Sequence, residues 1–256
     1  MSMLEVELPS VDVLSKILKS LSIVSEDIFF NVEDDGVSFK SLNNTKTVYV
    51  DFLLSSPKVS GSGLVSFNAP TLLKLLSKCR KNSRVLLRYD NDGCKLYIED
   101  PRFKKEVEFE DLKLEPRGYD LKLPETFKGE ALILSESFLE ALRDCKIIGG
   151  YNPVHIRVDS EGFHVIRRGD GEGDVHVRFK ANGMHVASID GEVEGKYNLK
   201  TLTSIVESAS SLNKLVGISI DGNGIMELNF SGDIIDDINK TRYGVRLIYF
   251  IAPMID

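Results

Sequence analysis

The sequence contains no tryptophan and few cysteines, Cys79, Cys94 and Cys145, in 256 residues. These cysteines stand far apart and form no Cys-x-x-Cys pair, so neither a disulfide framework nor a zinc knuckle is expected. Such sparse cysteine usage favours a reducing, intracellular environment. The first residues lack a signal-peptide pattern, and no run approaches the roughly 18 apolar residues of a membrane-spanning helix.

Motifs of common catalytic sites are also missing, because no G-x-S-x-G, Walker A, G-x-G-x-x-G or H-E-x-x-H pattern occurs. Residues 169–174, GDGEGD, lack the ligand spacing and closing glutamate of an EF-hand and predict a hairpin tip. His155 and His164 can meet across a turn, but with His176 and His185 they offer no third metal ligand, so we expect surface histidines. We therefore predict no catalytic residue, metal site or cofactor.

What the sequence does contain is 42% hydrophobic residues and a formal net charge of −7. This apolar content suffices for a core in one large domain or in two of ordinary size. The acidic balance argues against adhesion of the whole molecule to nucleic acid, although a local basic face is compatible with it.

A helix followed by a hairpin is predicted four times along the chain. Four segments have apolar residues at helical spacing, and each precedes two strand-like segments joined by a turn signal. The turns are expected at Asp35-Gly36, Asp92-Gly93, Glu161-Gly162 and Asn223-Gly224. FNAPTLLKLL at 67–76 and YNLKTLTSIV at 197–206 share aromatic, Asn, Thr and Leu residues at equal offsets, which indicates an internal duplication.

The duplication predicts an α+β protein with two similar lobes, each with two helices packed on antiparallel sheets. Residues 1–111 would form the first lobe and residues 128–256 the second. Residues 112–127 contain Pro116, Gly118 and Pro124, which interrupt regular structure and predict an exposed connector.

The predicted helical segments are net basic within this acidic chain, although the third is nearly balanced. For any single amphipathic helix, a solvated lysine face is the ordinary explanation. Four segments with this bias suggest one surface that contacts DNA phosphates without reading bases. The candidate DNA-binding residues are Lys16, Lys19, Lys74, Lys78, Arg80, Lys81, Arg143, Lys146, Lys200 and Lys214.

Four stretches together resemble sliding clamps of the proliferating cell nuclear antigen (PCNA) family. They are YFIAPMID, DGVSFKSLNNTKTVYVDF, LLKLLSKCRKNSRVLLR and YDLKLPE, and the resemblance extends over essentially the whole chain. It implies a noncatalytic subunit of a three-membered ring that encircles duplex DNA without sequence specificity. Such a ring gives processivity to DNA polymerase and recruits replication and repair enzymes.

The resemblance also implies where partners bind. Short hydrophobic motifs of DNA polymerase, clamp loader, flap endonuclease and DNA ligase would enter a pocket made by Leu42, Leu121, Leu123, Phe250, Ala252 and Pro253. This chain has Gly224-Ile225 where the family often has a pocket-lining proline. No membrane partner is implied.

Ring closure would fall to two edge strands, at 103–111 and 173–181, because an exposed edge favours pairing with another subunit. The interface residues would be Lys105, Val107, Phe109, Val175, Val177 and Phe179. The alternative is that both strands pair within the chain.

Two other functions stay open. A checkpoint-type clamp subunit shares the fold and acts in DNA damage signalling; LNNTKTVYVDFLL is compatible with that branch, whereas IAPMID favours the replicative one. A β-rich, metal-dependent phosphodiesterase would use acidic loops such as residues 170–174. The three ring subunits can be identical or different. The location implied is the cytoplasm for an archaeal protein and the nucleus for a eukaryotic one.

Overall fold

The structure is a computed structural model that describes residues 4–55, 58–90, 93–100, 103–109, 111–116, 118–148, 153–169, 173–180, 185–188, 191–236 and 241–255. The chain divides into two compact units. The first comprises Met1–Asn44, Val50–Tyr119 and Ser231–Leu247, and the second comprises Thr45–Tyr49, Asp120–Phe230 and Ile248–Asp256. The main passage from one unit to the other, after Tyr119, falls inside the expected connector at 112–127, whose exact bounds stay a prediction.

The first half of the chain contains two helices and nine strands within the described residues. In order these are β1 (Leu4–Leu8), α1 (Val11–Ser22), β2 (Asp27–Glu33), β3 (Gly36–Leu42), β4 (Val48–Ser55), β5 (Val59–Ser60), β6 (Gly63–Asn68), α2 (Ala69–Leu76), β7 (Arg84–Asp90), β8 (Gly93–Asp100) and β9 (Phe103–Phe109).

The second half repeats this plan. Its elements are β10 (Gly129–Leu134), α3 (Ser135–Ile147), β11 (Val154–Asp159), β12 (Gly162–Arg167), β13 (Val175–Lys180), β14 (His185–Ser188), β15 (Val193–Tyr197), α4 (Leu199–Ala209), β16 (Leu215–Ile220), β17 (Met226–Asn229), β18 (Gly232–Asp236) and β19 (Thr241–Ile251). Strand β18 and the part of β19 up to Leu247 belong to the first unit, and the rest of β19, from Ile248, belongs to the second.

The prediction of four helix-plus-hairpin repeats is confirmed. Each of the four helices precedes an antiparallel pair: β2 with β3, β7 with β8, β11 with β12, and β16 with β17. The fourth turn is wider than expected, because Ile220 pairs with Met226 across a five-residue loop. Within that loop the Asp221 carboxylate accepts backbone hydrogen bonds from Asn223 and Ile225.

The first and third hairpins need glycine at the same place. Gly36 and Gly162 each open the second strand with positive φ, +142° and +147°. A Cβ at Gly36 would overlap the carbonyl oxygen of Leu54, and one at Gly162 would overlap that of Phe179. Both positions therefore exclude any side chain, which explains why the turn signals end in glycine.

Within the first unit, β5-β1-β7-β8-β9 form one antiparallel sheet, and β4-β3-β2-β6 are neighbours in another. Helices α1 and α2 contact each other and bury apolar faces. These faces carry Val11, Leu14, Ile17, Leu18 and Leu21 from α1, with Ala69, Leu72 and Leu76 from α2. A one-sided apolar stripe is what the helical spacing in the sequence predicts.

Within the second unit, β13-β12-β11-β15 form a four-stranded sheet, and β14-β10-β16-β17-β19 are neighbours in another. Helices α3 and α4 contact each other, and Phe138 of α3 meets Phe163 of β12 edge to face at 5.5 Å between ring centroids. The α+β class with two helices in each lobe is thus confirmed.

Side chains support the inferred duplication. Asn68 accepts a hydrogen bond from the backbone N–H of Thr71 at 3.1 Å, and Asn198 accepts one from Thr201 at 2.9 Å. Each asparagine thereby caps the N-terminus of its helix, α2 or α4. The matched Asn and Thr in the two sequence segments are therefore the same capping motif used twice.

Candidate nucleic-acid, partner and subunit surfaces

The first-unit helices carry more positive than negative charge. Within its bounds α1 has Lys16, Lys19 and one acid, Asp12, and α2 has Lys74 and no acid. Lys16 pairs with Asp12 at 2.6 Å. Lys19 and Lys74 are exposed. Two helices of the first unit are thus locally basic.

Several cations expected on α2 lie beyond its end. The helix ends at Leu76, so Lys78, Arg80 and Lys81 follow it in turns, and Arg84 opens β7. All four are exposed, and Lys81 lies 3.8 Å from the carboxylate of Asp12. The expectation that these cations are helical is wrong, because Ser77 ends the helix as its C-cap.

The second-unit helices are not basic. Helix α3 carries Arg143 and Lys146 against three acids, Glu136, Glu140 and Asp144, and α4 carries Lys200 against Glu207. Arg143 Nη2 donates to Glu207 Oε1 at 2.6 Å, which joins the two helices by an exposed ion pair. Lys214 lies beyond α4 and is exposed. The sequence-based count of net basic helices therefore holds for α1 and α2 and not for α3 and α4.

The expected partner-binding residues fall in two places. Leu42 ends β3 in the first unit, whereas Leu121, Leu123, Phe250, Ala252 and Pro253 belong to the second unit. Leu121 and Leu123 are each 37% exposed, and Phe250, Ala252 and Pro253 are half-buried. Their apolar surface thus remains available to solvent.

Backbone hydrogen bonds fix the residues after β19. Ala252 N–H donates to the carbonyl of Thr47 at 2.9 Å, and Met254 N–H donates to that of Lys196 at 2.7 Å. Pro253 lies against Gly224, where a Cβ would come within 3.5 Å of its ring. Gly224 therefore lies directly against Pro253, and this chain has Gly224-Ile225 where the family often has a proline.

A cleft of about 510 Å³ beside Leu42 was not predicted from the sequence. Its exposed lining is mostly polar, from three serines, Asn44 and the acids Glu26, Asp27 and Glu115. Apolar and aromatic side chains complete it, namely Ile23, Val24, Phe29, Leu42, Leu114 and Tyr119. Asp111 anchors the chain segment that forms one wall, since its carboxylate accepts from Ser66 Oγ at 2.6 Å and from Lys113 N–H at 3.0 Å. These hydrogen bonds outweigh burial and lower the pKa of Asp111.

Both expected interface segments lie at sheet edges. Strand β9 is the last strand of its sheet and pairs with β8, and β13 is the last strand of its sheet and pairs with β12. In β13 the row Val175, Val177 and Phe179 is half-buried, and the alternate row is exposed. In β9 Val107 is buried and Lys105 half-buried, whereas the side chain of Phe109 lies outside the described residues.

The histidines differ from the expectation that all are at the surface. His164 is 1% exposed and contacts His176 and Asp159, and His155 is half-buried against Glu194 at 2.7 Å. His176 is exposed, and the side chain of His185 lies outside the described residues, as do residues 170–172. Within the described part of the chain, no cluster of three or more His, Cys, Asp or Glu side chains is arranged to hold a metal ion.

The thiols are free. Cys94 and Cys145 are buried and Cys79 is half-buried. Burial raises the pKa of Cys145 to about 11. No helix in the described ranges has the length and hydropathy required to cross a bilayer.

Known proteins resemble the chain over nearly its whole length. The DNA polymerase sliding clamp 1 of Pyrobaculum aerophilum is 22% identical over 250 residues, 94% of each chain. The structure of the proliferating cellular nuclear antigen of Entamoeba histolytica superposes with a TM-score of 0.83 at 16% identity, over 100% of both chains. The PCNA2-PCNA3 complex of Sulfolobus tokodaii gives 0.81 at 16% identity, covering 97% of this chain and 98% of that one. No family model matches.

The chain has the PCNA fold. The resemblance drawn from YFIAPMID and the other stretches is thereby confirmed for the fold, including the α+β class and the two-lobe plan. In the PCNA fold of this chain, Lys19 and Arg143 lie on helices of different units, so a common DNA-facing wall stays a prediction. The partner pocket and subunit interface stay predictions as well.

Proposed function

We propose that the protein is a DNA sliding clamp, a noncatalytic ring subunit that encircles duplex DNA and tethers DNA polymerase and other enzymes. The observation that carries this proposal is the match to a sliding clamp across 94% of both chains together with a PCNA fold over the full length. The clamp would act wherever the DNA of the cell is held.

Phosphate contacts on the clamp would come from exposed cations of and near the helices. Lys19, Lys74 and Lys78 are exposed and take part in no ion pair among the described residues. Contacts to phosphates carry no sequence information and are weakened by salt, which suits a ring that has to slide. The remaining candidates are Lys16, Arg80, Lys81, Arg143, Lys146, Lys200 and Lys214.

Ring closure would use β9 of one subunit and β13 of the next. Each strand has its outer backbone edge unpaired within the described residues, which is the geometry that strand addition between subunits requires. The exposed row of β9 carries Lys104, Glu106 and Glu108, and that of β13 carries His176, Arg178 and Lys180. The first row is therefore net negative and the second net positive.

Partner enzymes would bind through a short hydrophobic motif at Leu121, Leu123, Phe250, Ala252 and Pro253. The half-buried Phe250 ring lies 6.3 Å from that of Tyr49 and offers an apolar surface for an aromatic anchor. In the first unit, the acids Glu26, Asp27 and Glu115 line the cleft beside Leu42, so a ligand of that cleft would carry basic residues. DNA polymerase, clamp loader, flap endonuclease and DNA ligase are the expected partners.

The central test is topological. The protein, loaded onto nicked circular DNA with a clamp loader, should stay bound at moderate salt and be lost when the circle is linearised. Native mass spectrometry should give three subunits, either of this chain alone or after addition of clamp paralogues from the same organism. A protein that stays monomeric under both conditions contradicts the clamp, and assembly that needs paralogues favours a heteromeric ring.

A second experiment tests the partner site. Phe250→Ala should abolish binding of a peptide with an aromatic clamp-binding motif, whereas Leu132→Ala, an exposed residue of β10, should leave binding unchanged. Equal binding by both variants places the motif elsewhere. Metal-dependent hydrolysis of nucleotides by the purified protein would favour a phosphodiesterase instead.

A further inference from the structure

Three side chains form a hydrogen-bonded chain across three strands of the second unit. Asp159 ends β11, His164 lies in β12, and His176 lies in β13. His164 Nε2 lies 3.0 Å from Asp159 Oδ1, and His164 Nδ1 lies 2.9 Å from His176 Nε2. We call these three hydrogen-bonded side chains the histidine relay. Its middle histidine, His164, is 1% exposed and so is shielded from water.

Chemistry fixes where the protons are at neutral pH. The Asp159 carboxylate is an acceptor, so His164 Nε2 carries a hydrogen and donates it. Backbone N–H groups of Glu161 and Gly162 also donate to Asp159 Oδ1, at 2.8 Å and 3.2 Å. In neutral His164 the second nitrogen, Nδ1, then lacks a hydrogen, and His176 Nε2–H donates to it.

The relay has room for one additional proton but not for two. With one extra proton, a single hydrogen still lies between His164 Nδ1 and His176 Nε2, so the hydrogen bond is kept, and Asp159 balances the charge. Two extra protons put a hydrogen on both nitrogens across the 2.9 Å contact, where no hydrogen bond is then possible. Two cations would also stand side by side, with ring centroids 5.1 Å apart.

The surrounding charges do not offset the repulsion between two protonated histidines. Arg157 and Arg178 stand directly opposite His164 on the two neighbouring strands. Arg157 lies 3.2 Å from Asp159 Oδ2, so it already shares that carboxylate, and Arg178 pairs with Glu161 at 2.9 Å. Of the other described acids on this face, Glu194 bonds His155 and Glu192 lies 3.4 Å from Arg157.

His176 lies on the edge strand β13, so repulsion between the two protonated histidines acts on that strand. Strand β13 is held to its sheet along one side, by β12, and the relay ties the side chain of His176 to that neighbour. We infer that the histidine relay is an acid-sensitive fastening of the edge strand β13, which loosens when both histidines become protonated. The inference goes beyond the proposed function, and its consequence for ring closure rests on that function.

The pKa of His176 agrees in direction. Burial, with the positive charges of His164, Arg157 and Arg178, lowers it from its ordinary value near 6.5. A lowered histidine pKa means that the folded strand binds fewer protons than the opened one as pH falls below about 6.5. Strand pairing is therefore strongest above that pH and weakens on acidification.

Native-state hydrogen exchange of the β12 and β13 amides between pH 7.5 and 5.5, corrected for intrinsic rates, tests the fastening. The opening equilibrium constant should rise by up to about tenfold for each pH unit below about 6.5. His176→Gln, whose amide still donates to His164 but does not titrate, should lose much of this response. His155→Gln, which removes a histidine bound to Glu194 outside the relay, should keep it.

A response in His176→Gln equal to that of the natural protein overturns the inference, as does an absence of response in both. Nitrogen-15 NMR of the imidazoles needs no variant, and it should show His164 protonated at Nε2 at neutral pH. Any other tautomer overturns the relay. If hydrogen exchange responds to pH while no ring forms at any pH, the proposed ring is wrong and the relay stands. If the natural protein and His176→Gln form rings whose assembly depends on pH in the same way, the relay does not affect ring closure.

Discussion

The two units share the devices that build them and differ in the charge their helices present. Gly36 and Gly162 open equivalent hairpin strands, and Asn68 and Asn198 cap equivalent helices. Helices α1 and α2 carry an excess of positive charge, however, whereas α3 carries more acids than bases and α4 is balanced. Turn geometry and capping are thus constrained by folding in both halves, while solvent-exposed charge is free to diverge.

The largest effect should come from the paired glycines. Gly36→Ala and Gly162→Ala each force a Cβ onto a carbonyl oxygen at positive φ, and we expect each to lower the free energy of unfolding by about 2 to 4 kcal/mol. Urea denaturation measures both. Gly118→Ala, at a position with open space around it, should have almost no effect. A large cost in one unit and none in the other would contradict equivalent turns.

The charge difference predicts unequal roles in DNA binding. Replacing Lys19, Lys74 and Lys78 by Gln should lower the slope of log affinity against log salt by roughly 2 to 3, since each lost phosphate contact removes about 0.9. The same replacement at Arg143, Lys146 and Lys200 should have a smaller effect, because Glu207 already pairs with Arg143. Fluorescence anisotropy with duplex DNA gives both slopes, and equal slopes would contradict the comparison.

The capping asparagines should give a smaller and matched effect. Asn68→Ala and Asn198→Ala each leave a helix N–H group without its acceptor, so each should cost about 1 kcal/mol of stability. Thermal or urea unfolding of the two variants measures this cost. Asn198→Asp serves as a control that keeps the acceptor and should retain most of the stability. For α2 the control is Asn68→Ser, because an aspartate at this position would face the carboxylate of Asp27, to which the Asn68 amide donates at 3.0 Å.

The smallest effect should come from the ion pairs at the helix surfaces. Lys16→Gln breaks a pair with Asp12 within α1, and Arg143→Gln breaks a pair with Glu207 between α3 and α4. The first pair is partly and the second largely open to solvent, so each loss should change stability by about 0.5 kcal/mol or less, and less still at high salt. A cost above about 1 kcal/mol for Arg143→Gln would mean that the pair holds α3 against α4.

Local patterns were enough to predict most of the fold. The apolar spacing of Leu14, Ile17, Leu18 and Leu21 predicts α1 because packing selects that face, and the same holds for the other helices. Turn signals ending in glycine predicted the hairpins because a positive φ excludes other residues at Gly36 and Gly162. The end of α2 was missed, since no glycine or proline follows Leu76 to mark it.

The candidate surfaces were less accessible to sequence reasoning. Edge strands were predicted at the right places, but pairing partners depend on neighbours distant in the sequence. The burial of His164 was missed because the side chains around it come from three strands. These are Asp159, His176, Arg157 and Arg178. The cleft beside Leu42 likewise brings together Val24 and Tyr119, which no local pattern connects. Convergence of the DNA-binding cations stays a prediction for the same reason.

Strand β13 separates two tasks by alternation. Val175, Val177 and Phe179 face the interior of the second unit, and His176, Arg178 and Lys180 point the other way. If β13 closes the ring as proposed, replacements in the outward row alter which neighbouring subunit the strand accepts and leave the packing beneath it in place. Paralogues that arise by gene duplication would then diverge in subunit choice while each copy keeps folding as before.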